Sequence, residues 1–415
     1  MFSFCFHYII AYAGVQTILH GTILHLATEL GSRAVGGAGT ALDELRRVSG
    51  PSVGFVCLGP DAEPADDSNA CPHGSNVIYA DFYEMDVLNR LAFDIAVFHD
   101  YSLAYLADDS FLRGRPLVFV VHSVPTTEPW SLLDPYGGHA GIARAFERMC
   151  DTARWIVCVS EAERGKLLLL YPDLKPKTCV IRNGFSAFAY QPIRIRPRRT
   201  AFGFLGRADA RKGLLELVRA FAAVPGTLRI ACGEEDAEYA QSVRDNIGRL
   251  QLGGRAFWEG RIHPTDKLAY LRSLDALVVP SLWEPFGYVA LEALRAGVPP
   301  LVSRQGGIHE IVGPDYPYAF DPWNESSIAA CLRAFQNDPP ERVRAAVEQA
   351  RRYAAPLTAE RMAEVYEALP RVPAVAGLGV TPRGKRYAAH GSAPPPVPGQ
   401  ASVTPKALGA SPANE

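Results

Sequence analysis

The stretch D-A-L-V-V-P-S-L-W-E-P-F-G-Y-V-A-L-E-A-L-R-A-G-V-P-P-L-V-S occupies residues 275–303. Two short apolar runs, 275–281 and 298–303, enclose a segment of helical propensity that begins after Gly287 and stops at Gly297. Short runs this apolar suit strands buried on both faces, and a helix between two of them makes a parallel βαβ unit. Pro285 and Gly287 supply the turn into the helix, and Gly297 supplies its C-cap. Two carboxylates, Glu284 and Glu292, stand on either side of the Phe-Gly turn. In so apolar a setting they call for a chemical explanation.

The same alternation extends in both directions. Upstream, residues 93–99, 116–122, 155–160 and 177–184 read as buried parallel strands, and so do 200–206, 227–233 and 256–260. Helices are expected over Gly213–Ala223, Tyr239–Leu250 and Asp266–Ser273. This is the pattern of an α/β protein with doubly wound parallel sheets. A proline-rich, basic break, A-Y-Q-P-I-R-I-R-P-R-R-T, interrupts it. The expected organisation is a Rossmann-like domain over 1–188, a linker over 189–199 and a second Rossmann-like domain over 200–350. Helices over 351–371 are expected to pack back toward the first domain. Residues 372–415 hold eight prolines and six glycines and few large apolar groups, so a disordered tail is expected there.

With 415 residues the chain is long enough for two cores, and 21% charged residues are those of a globular protein. The net charge of −2 gives no electrostatic basis for nucleic-acid binding. Residues 1–190 carry 14 Lys and Arg against 21 Asp and Glu, a net of −7, and the remainder is +5. An acidic first half suits a cationic or neutral ligand, and a basic second half an anionic one. Eight scattered cysteines with no C-x-x-C pair point away from a zinc site or disulfide framework and toward a reducing cytoplasm. The opening M-F-S-F-C-F-H-Y-I-I-A-Y-A-G-V lacks a basic n-region and is too short to span a bilayer, so a buried strand is expected there. Membrane association is not favoured.

In doubly wound sheets ligands lie beyond the carboxyl ends of the strands. After 200–206 comes G-R-A-D-A-R-K-G, which puts Arg207 and Lys212 beside a helix N-terminus, a natural anion site. After 275–281, the backbone N–H groups of Phe286, Gly287 and Tyr288 form a second anion-binding end. Glu292 has the two acceptor oxygens that suit a vicinal diol such as a ribose, and Glu284 those for hydroxyls of a second sugar. A glycosidase would use two carboxylates as acid and nucleophile. A diphosphate-linked sugar, however, accounts for Arg207 and Lys212 as well.

On these residues the chain resembles the retaining glycosyltransferases of family 4. E-P-F-G-Y-V-A-L-E followed by A-L-R-A-G-V-P-P-L-V-S-R-Q-G-G-I-H-E-I-V resembles that family's E-x7-E signature. F-G-F-L-G-R-A-D-A-R-K-G, W-E-G-R-I-H-P-T-D-K-L-A-Y-L and V-I-R-N-G-F-S resemble its neighbouring blocks in order and spacing. W-I-V-C-V-S-E-A-E-R, P-L-V-F-V-V-H-S and F-D-I-A-V-F-H-D resemble strands of its first domain, and the likeness covers roughly residues 90–370. The resemblance implies a GT-B fold, a nucleotide-sugar donor held by the second domain, an acceptor held by the first, retention of anomeric configuration, and no catalytic metal or other cofactor. It implies diphosphate contacts for Arg207 and Lys212, ribose contact for Glu292 and contact with the transferred sugar for Glu284. It further implies sugar and phosphate contacts for the backbone at Phe286, Gly287 and Tyr288. Arg261 would frame the base, and His122 would face the reaction centre.

The family usually carries a Gly-Gly loop soon after its first strand, then a helix ending in L-A-x-x-L. Here the stretch leading to L-A-T-E-L has Gly14 alone, the expected close-approach position for the diphosphate, and residues 31–75 match no family block. The acceptor is expected to be a soluble small molecule, such as an amino sugar or aminocyclitol, in keeping with the acidic first half. A lipid-linked or polysaccharide acceptor is the alternative. Further alternatives are a nucleotide-sugar epimerase, a phosphorylase and a non-catalytic binding protein.

Overall fold

The computed structural model describes residues 23–30, 36–59, 77–81, 88–89, 91–125, 138–186, 190–197, 199–234 and 236–368, and every structural statement below concerns these. Gly14, the N-terminal run around it and residues 372–415 lie outside them.

Seven strands form the first sheet: β1 (Ile23–Ala27), β2 (Val53–Leu58), β3 (Val77–Ala80), β4 (Ile95–Phe98), β5 (Leu117–Val121), β6 (Trp155–Cys158) and β7 (Thr178–Val180). All pair in parallel, in the order β3-β2-β1-β4-β5-β6-β7. Six form the second: β8 (Ala201–Arg207), β9 (Thr227–Gly233), β10 (Ala256–Gly260), β11 (Ala276–Val279), β12 (Pro300–Ser303) and β13 (Ala319–Phe320). Their order is β10-β9-β8-β11-β12-β13, again parallel. Each sheet therefore reverses its winding once, between β1 and β4 and between β8 and β11. A crevice opens at such a point beyond the strand ends.

One expectation is corrected. The family pattern would put L-A-T-E-L at the end of a helix, yet residues 23–27 form the central strand β1. Leu24 and Leu26 enter one core with Phe98 and Phe119, whereas Ile23 and Ala27 enter the other with Leu42 and Leu45. A five-residue apolar run has no period that separates strand from buried helix; pairing on both sides settles it. The helix after β1 is α1 (Gly37–Val48), so the adjacent glycines Gly36 and Gly37 occupy the strand-to-helix connection.

Five more helices matter for the site: α2 (Glu161–Leu170), α3 (Leu214–Phe221), α4 (Tyr288–Ala296), α5 (Pro340–Ala354) and α6 (Ala359–Ala368). The Ser160 hydroxyl caps α2 by accepting from Glu163 N at 3.0 Å. The linker is tied down: Gln191 N donates to Arg295 O at 2.8 Å, and Arg351 of α5 donates to Gln191 O at 2.7 Å. After α5 the chain returns to the first sheet. Phe185 N donates to Leu357 O (3.1 Å), Ala359 N donates to Phe185 O (3.2 Å), and Tyr366 of α6 packs edge-on against His25.

Candidate active site

At the second sheet's reversal, two loops are locked together. Gly213 has φ 63°, and a Cβ there would lie 2.1 Å from Pro280 O, so only glycine admits this approach. Leu282 N donates to Arg211 O at 2.8 Å across the same contact. The clamp brings Lys212 to Glu284: Nζ donates to Oε2 at 2.8 Å, and the Ser281 hydroxyl donates to the same oxygen at 2.9 Å. Glu284 is 7% exposed, and its backbone O accepts from Gly307 N at 2.7 Å. The two residues assigned from sequence to diphosphate and to sugar are thus ion-paired with each other.

Arg207 ends β8 and donates through Nε to Asp209 Oδ2 at 3.1 Å. Burial alone would raise the Asp209 carboxyl, but Arg211, Lys212 and Arg207 together hold it below the ordinary range. The loop therefore concentrates three cations against Asp209 and Glu284.

Gly287, at φ 108°, makes the turn into α4 that an L side chain rarely adopts. The first intrahelical bonds run from Ala290 N and Leu291 N to Gly287 O. The amides just before Ala290 precede these bonds and form the donor end of the helix. Phe286 and Tyr288 are buried, and the Tyr288 hydroxyl donates to Gly184 O at 2.9 Å. Both side chains belong to the core, so what they offer a ligand is backbone.

One turn on, Glu292 accepts from Lys267 Nζ at 2.8 Å through Oε1. Its other oxygen is buried with no hydrogen-bond partner among the described residues. A buried carboxylate oxygen in that condition is an acceptor with capacity for a ligand hydroxyl. Lys267 lies within the block W-E-G-R-I-H-P-T-D-K-L-A-Y-L but has no role assigned from the sequence, and only the fold brings it to Glu292. Arg261 lies exposed in the loop after the edge strand β10, away from the Lys212–Glu284 pair in strand order.

The first sheet supplies the facing wall. A Cβ on Gly36 would lie 3.2 Å from Glu29 Oε2 and 3.8 Å from an Arg207 guanidinium nitrogen, and one on Gly37 would lie 3.7 Å from the Tyr288 ring. Gly36 N donates to Glu29 Oε2 at 3.0 Å. The start of α1 therefore meets Arg207 and the start of α4. Gly36 and Gly37, not recognised from the sequence, are the adjacent glycines that precede a helix with A-L-D-E-L in it. That signal was legible, but the misplaced first strand hid it.

His122 follows β5 and joins two other histidines. His99 Nδ1 lies 3.0 Å from His122 Nε2, and His25 Nδ1 lies 2.8 Å from His99 Nε2. Burial lowers His25 to about 3 and His122 to about 4, the latter partly offset by Asp100. His99 is driven well below its ordinary value by burial and by both neighbours. Asp100 itself accepts from the Thr28 hydroxyl and from Ser102 N.

Direct bonds join the walls. Trp283 Nε1 donates to Glu163 Oε2 at 2.8 Å, while Val124 N donates to Oε1 of the same carboxylate at 2.7 Å. The Ser160 hydroxyl donates to Pro285 O at 2.6 Å. The loop carrying His122 is thus one buried carboxylate away from the Glu284–Gly287 turn. Among the described residues no cluster of His, Cys, Asp and Glu could hold a metal ion, and no helix is long and apolar enough to cross a membrane.

Both halves of the chain match family models. Residues 35–187 match glycosyltransferase family 4, and residues 189–353 match glycosyl transferases group 1. Alpha-maltose-1-phosphate synthase of Mycolicibacterium smegmatis is 29% identical over 221 residues, 49% of this chain and 57% of that protein. Glycogen synthase of Mycobacterium tuberculosis is 30% identical over 264 residues, 59% of this chain and 61% of that one. The match thus spans about three fifths of the length of these curated relatives. HepE of Anabaena, solved in complex with UDP and glucose, superposes with a TM-score of 0.69 at 19% identity, over 85% of this chain and 100% of that one. The fold is GT-B, with two Rossmann-like domains. By sequence both halves are of glycosyltransferase type, family-4-like in the first.

Proposed function

We propose that the protein transfers a sugar from a nucleotide-sugar donor to an acceptor hydroxyl with retention of anomeric configuration. The observation that carries this is the convergence of Arg207, Lys212, the start of α4 at Gly287 and the start of α1 at Gly36 on one crevice beside Glu284. Cleaving a glycosyl–phosphate bond places positive charge on the anomeric carbon and negative charge on the departing diphosphate. Fixed cations and amide dipoles aimed at that oxygen charge lower the barrier without reorganising. The unpartnered oxygen of Glu292 would take ribose hydroxyls, and Glu284 would take hydroxyls of the transferred sugar through Oε1. Arg261 would frame the base. No metal is assigned to the step. The acceptor attacks from the face the diphosphate leaves, and the leaving phosphate takes its proton. His122 orients the sugar.

The acceptor in this reading is a soluble small molecule with cationic character, such as an amino sugar or aminocyclitol. Its support is the net of −7 over residues 1–190, with Glu29 and Asp100 just after β1 and β4. The named relatives make a maltose phosphate and glycogen, which favours a glucan acceptor as the second reading. The reading also places the protein in the cytoplasm.

The test is turnover of UDP-, GDP-, ADP- and dTDP-sugars with aminocyclitol and glucan acceptors, in EDTA, followed by proton NMR of the product. Release of nucleoside diphosphate with a product of the donor's anomeric configuration is expected. An inverted product would refute retention, and loss of activity in EDTA would refute metal independence. Epimerisation of donor without acceptor would refute transfer.

A further inference from the structure

His25 is the middle residue of β1, His99 and His122 directly follow the adjacent strands β4 and β5, and the three imidazoles form one chain across the sheet. The order is His25, His99, His122, with N···N distances of 2.8 and 3.0 Å and ring centroids 5.1 and 5.3 Å apart. His25 and His99 are 1% and 7% exposed. His25 stacks on Phe55 (5.1 Å, 14°), and Tyr366 of α6 stands edge-on to it and tilted to His99. The charged group facing the outer end is Asp100, and the titratable group facing the inner end is Tyr366.

Proton counting on this chain leaves little freedom. A neutral imidazole carries one N–H and one lone pair, and each N···N contact needs one proton between its two nitrogens. If His25 holds its proton on Nδ1, His99 must present a lone pair at Nε2, so its own proton is on Nδ1. His122 then presents a lone pair at Nε2 and has its proton on Nδ1. If instead His25 holds its proton on Nε2, every ring must do the same. Two states satisfy both contacts: all three protons on Nδ1, or all three on Nε2. A charged central ring would relax the rule, and burial of His99 between two other imidazoles opposes that charge.

We propose that His25 and His99 are positioning residues for His122, holding it in one orientation and one tautomer by an all-or-none proton arrangement along the chain. This rests on the glycosyl-transfer reading, in which His122 faces the transferred sugar. What His122 offers the sugar at Nδ1, a donor in one state and a lone pair in the other, is then set two residues deep in the sheet. A histidine orienting a ligand through one nitrogen needs its other nitrogen held.

The test is nitrogen-15 NMR of the imidazoles in the full chain at pH 7.5, assigned with His25→Phe, His99→Phe and His99→Gln. Three neutral rings of the same tautomer are expected. A ring of opposite tautomer to its neighbour, or a charged one, would overturn the chain. In His99→Phe, the His122 signals should move to a mixture of tautomers. Turnover should fall about tenfold or more, as when an orienting partner is lost, with donor KM nearly unchanged. His99→Gln, which both donates and accepts, should recover much of kcat. Unchanged kcat in a folded His99→Phe would overturn the positioning role. If the wild type turned over no nucleotide sugar, the glycosyl-transfer reading would fall while the spectrum still decided the chain.

Discussion

The two sheets reverse their winding at equivalent points, and the chemistry placed there is opposite. At the β8/β11 point stand Arg207, Arg211 and Lys212 with Asp209 and Glu284, charged groups in close pairs. At the β1/β4 point stand His25, His99 and His122, whose burial keeps them neutral. One strand-end point is thus lined by ion pairs, and the other by buried neutral imidazoles with the carboxylates of Glu29 and Asp100 beside them. A diphosphate held against the first would have its sugar face the second. In the proposed reaction that difference would divide the labour: charge to stabilise a leaving group on one side, directional hydrogen bonding on the other.

The comparison breaks most visibly at the charged point. Lys212→Ala should lower turnover on the order of 10²–10³-fold, with circular dichroism showing a folded protein. Near-normal kcat would remove Lys212 from the donor site.

At the neutral point, acid is the probe. A histidine whose folded value is depressed binds its proton less readily folded than unfolded. Stability is therefore full above the unfolded value of 6.5 and is lost as pH falls toward about 4 for His122 and about 3 for His25. Each ring contributes a loss of about 1.4 kcal/mol per pH unit within its window. Urea melts between pH 7 and 4.5 should show this decline, and His25→Phe should flatten it. A variant as acid-sensitive as the wild type would show that His25 takes up its proton in the folded state.

Smaller effects sharpen the contrast. Glu292→Gln should raise donor KM about tenfold, since hydrogen bonds to a charged group are the stronger ones, and leave kcat less affected. Trp283→Phe deletes the indole donor to the buried Glu163 carboxylate and should cost about 1–2 kcal/mol of stability, read from denaturant midpoints.

Legibility in the sequence followed the same divide. In the second domain, periodicity found β8 through β12, and Arg207, Lys212, Glu284 and Glu292 stood out because they lie at a strand end, in the connections after β8 and β11, or in the first turns of the helix that follows. The Lys212–Glu284 pair could not, because Gly213 against Pro280 creates it from residues 72 positions apart. In the first domain, I-L-H-L-A is too short to show a period, and mistaking it hid Gly36 and Gly37. The histidine chain was invisible for a different reason. His25 and His99 look like core residues, and only the β1-β4-β5 adjacency lines them up with His122.

The central claim is that the β8/β11 crevice holds the diphosphate of a nucleotide sugar, and titration calorimetry with UDP, GDP, ADP and dTDP tests it most directly. Saturable binding of at least one of them to the wild type, lost in Lys212→Ala, is expected. Binding of none, or binding indifferent to Lys212, would contradict it.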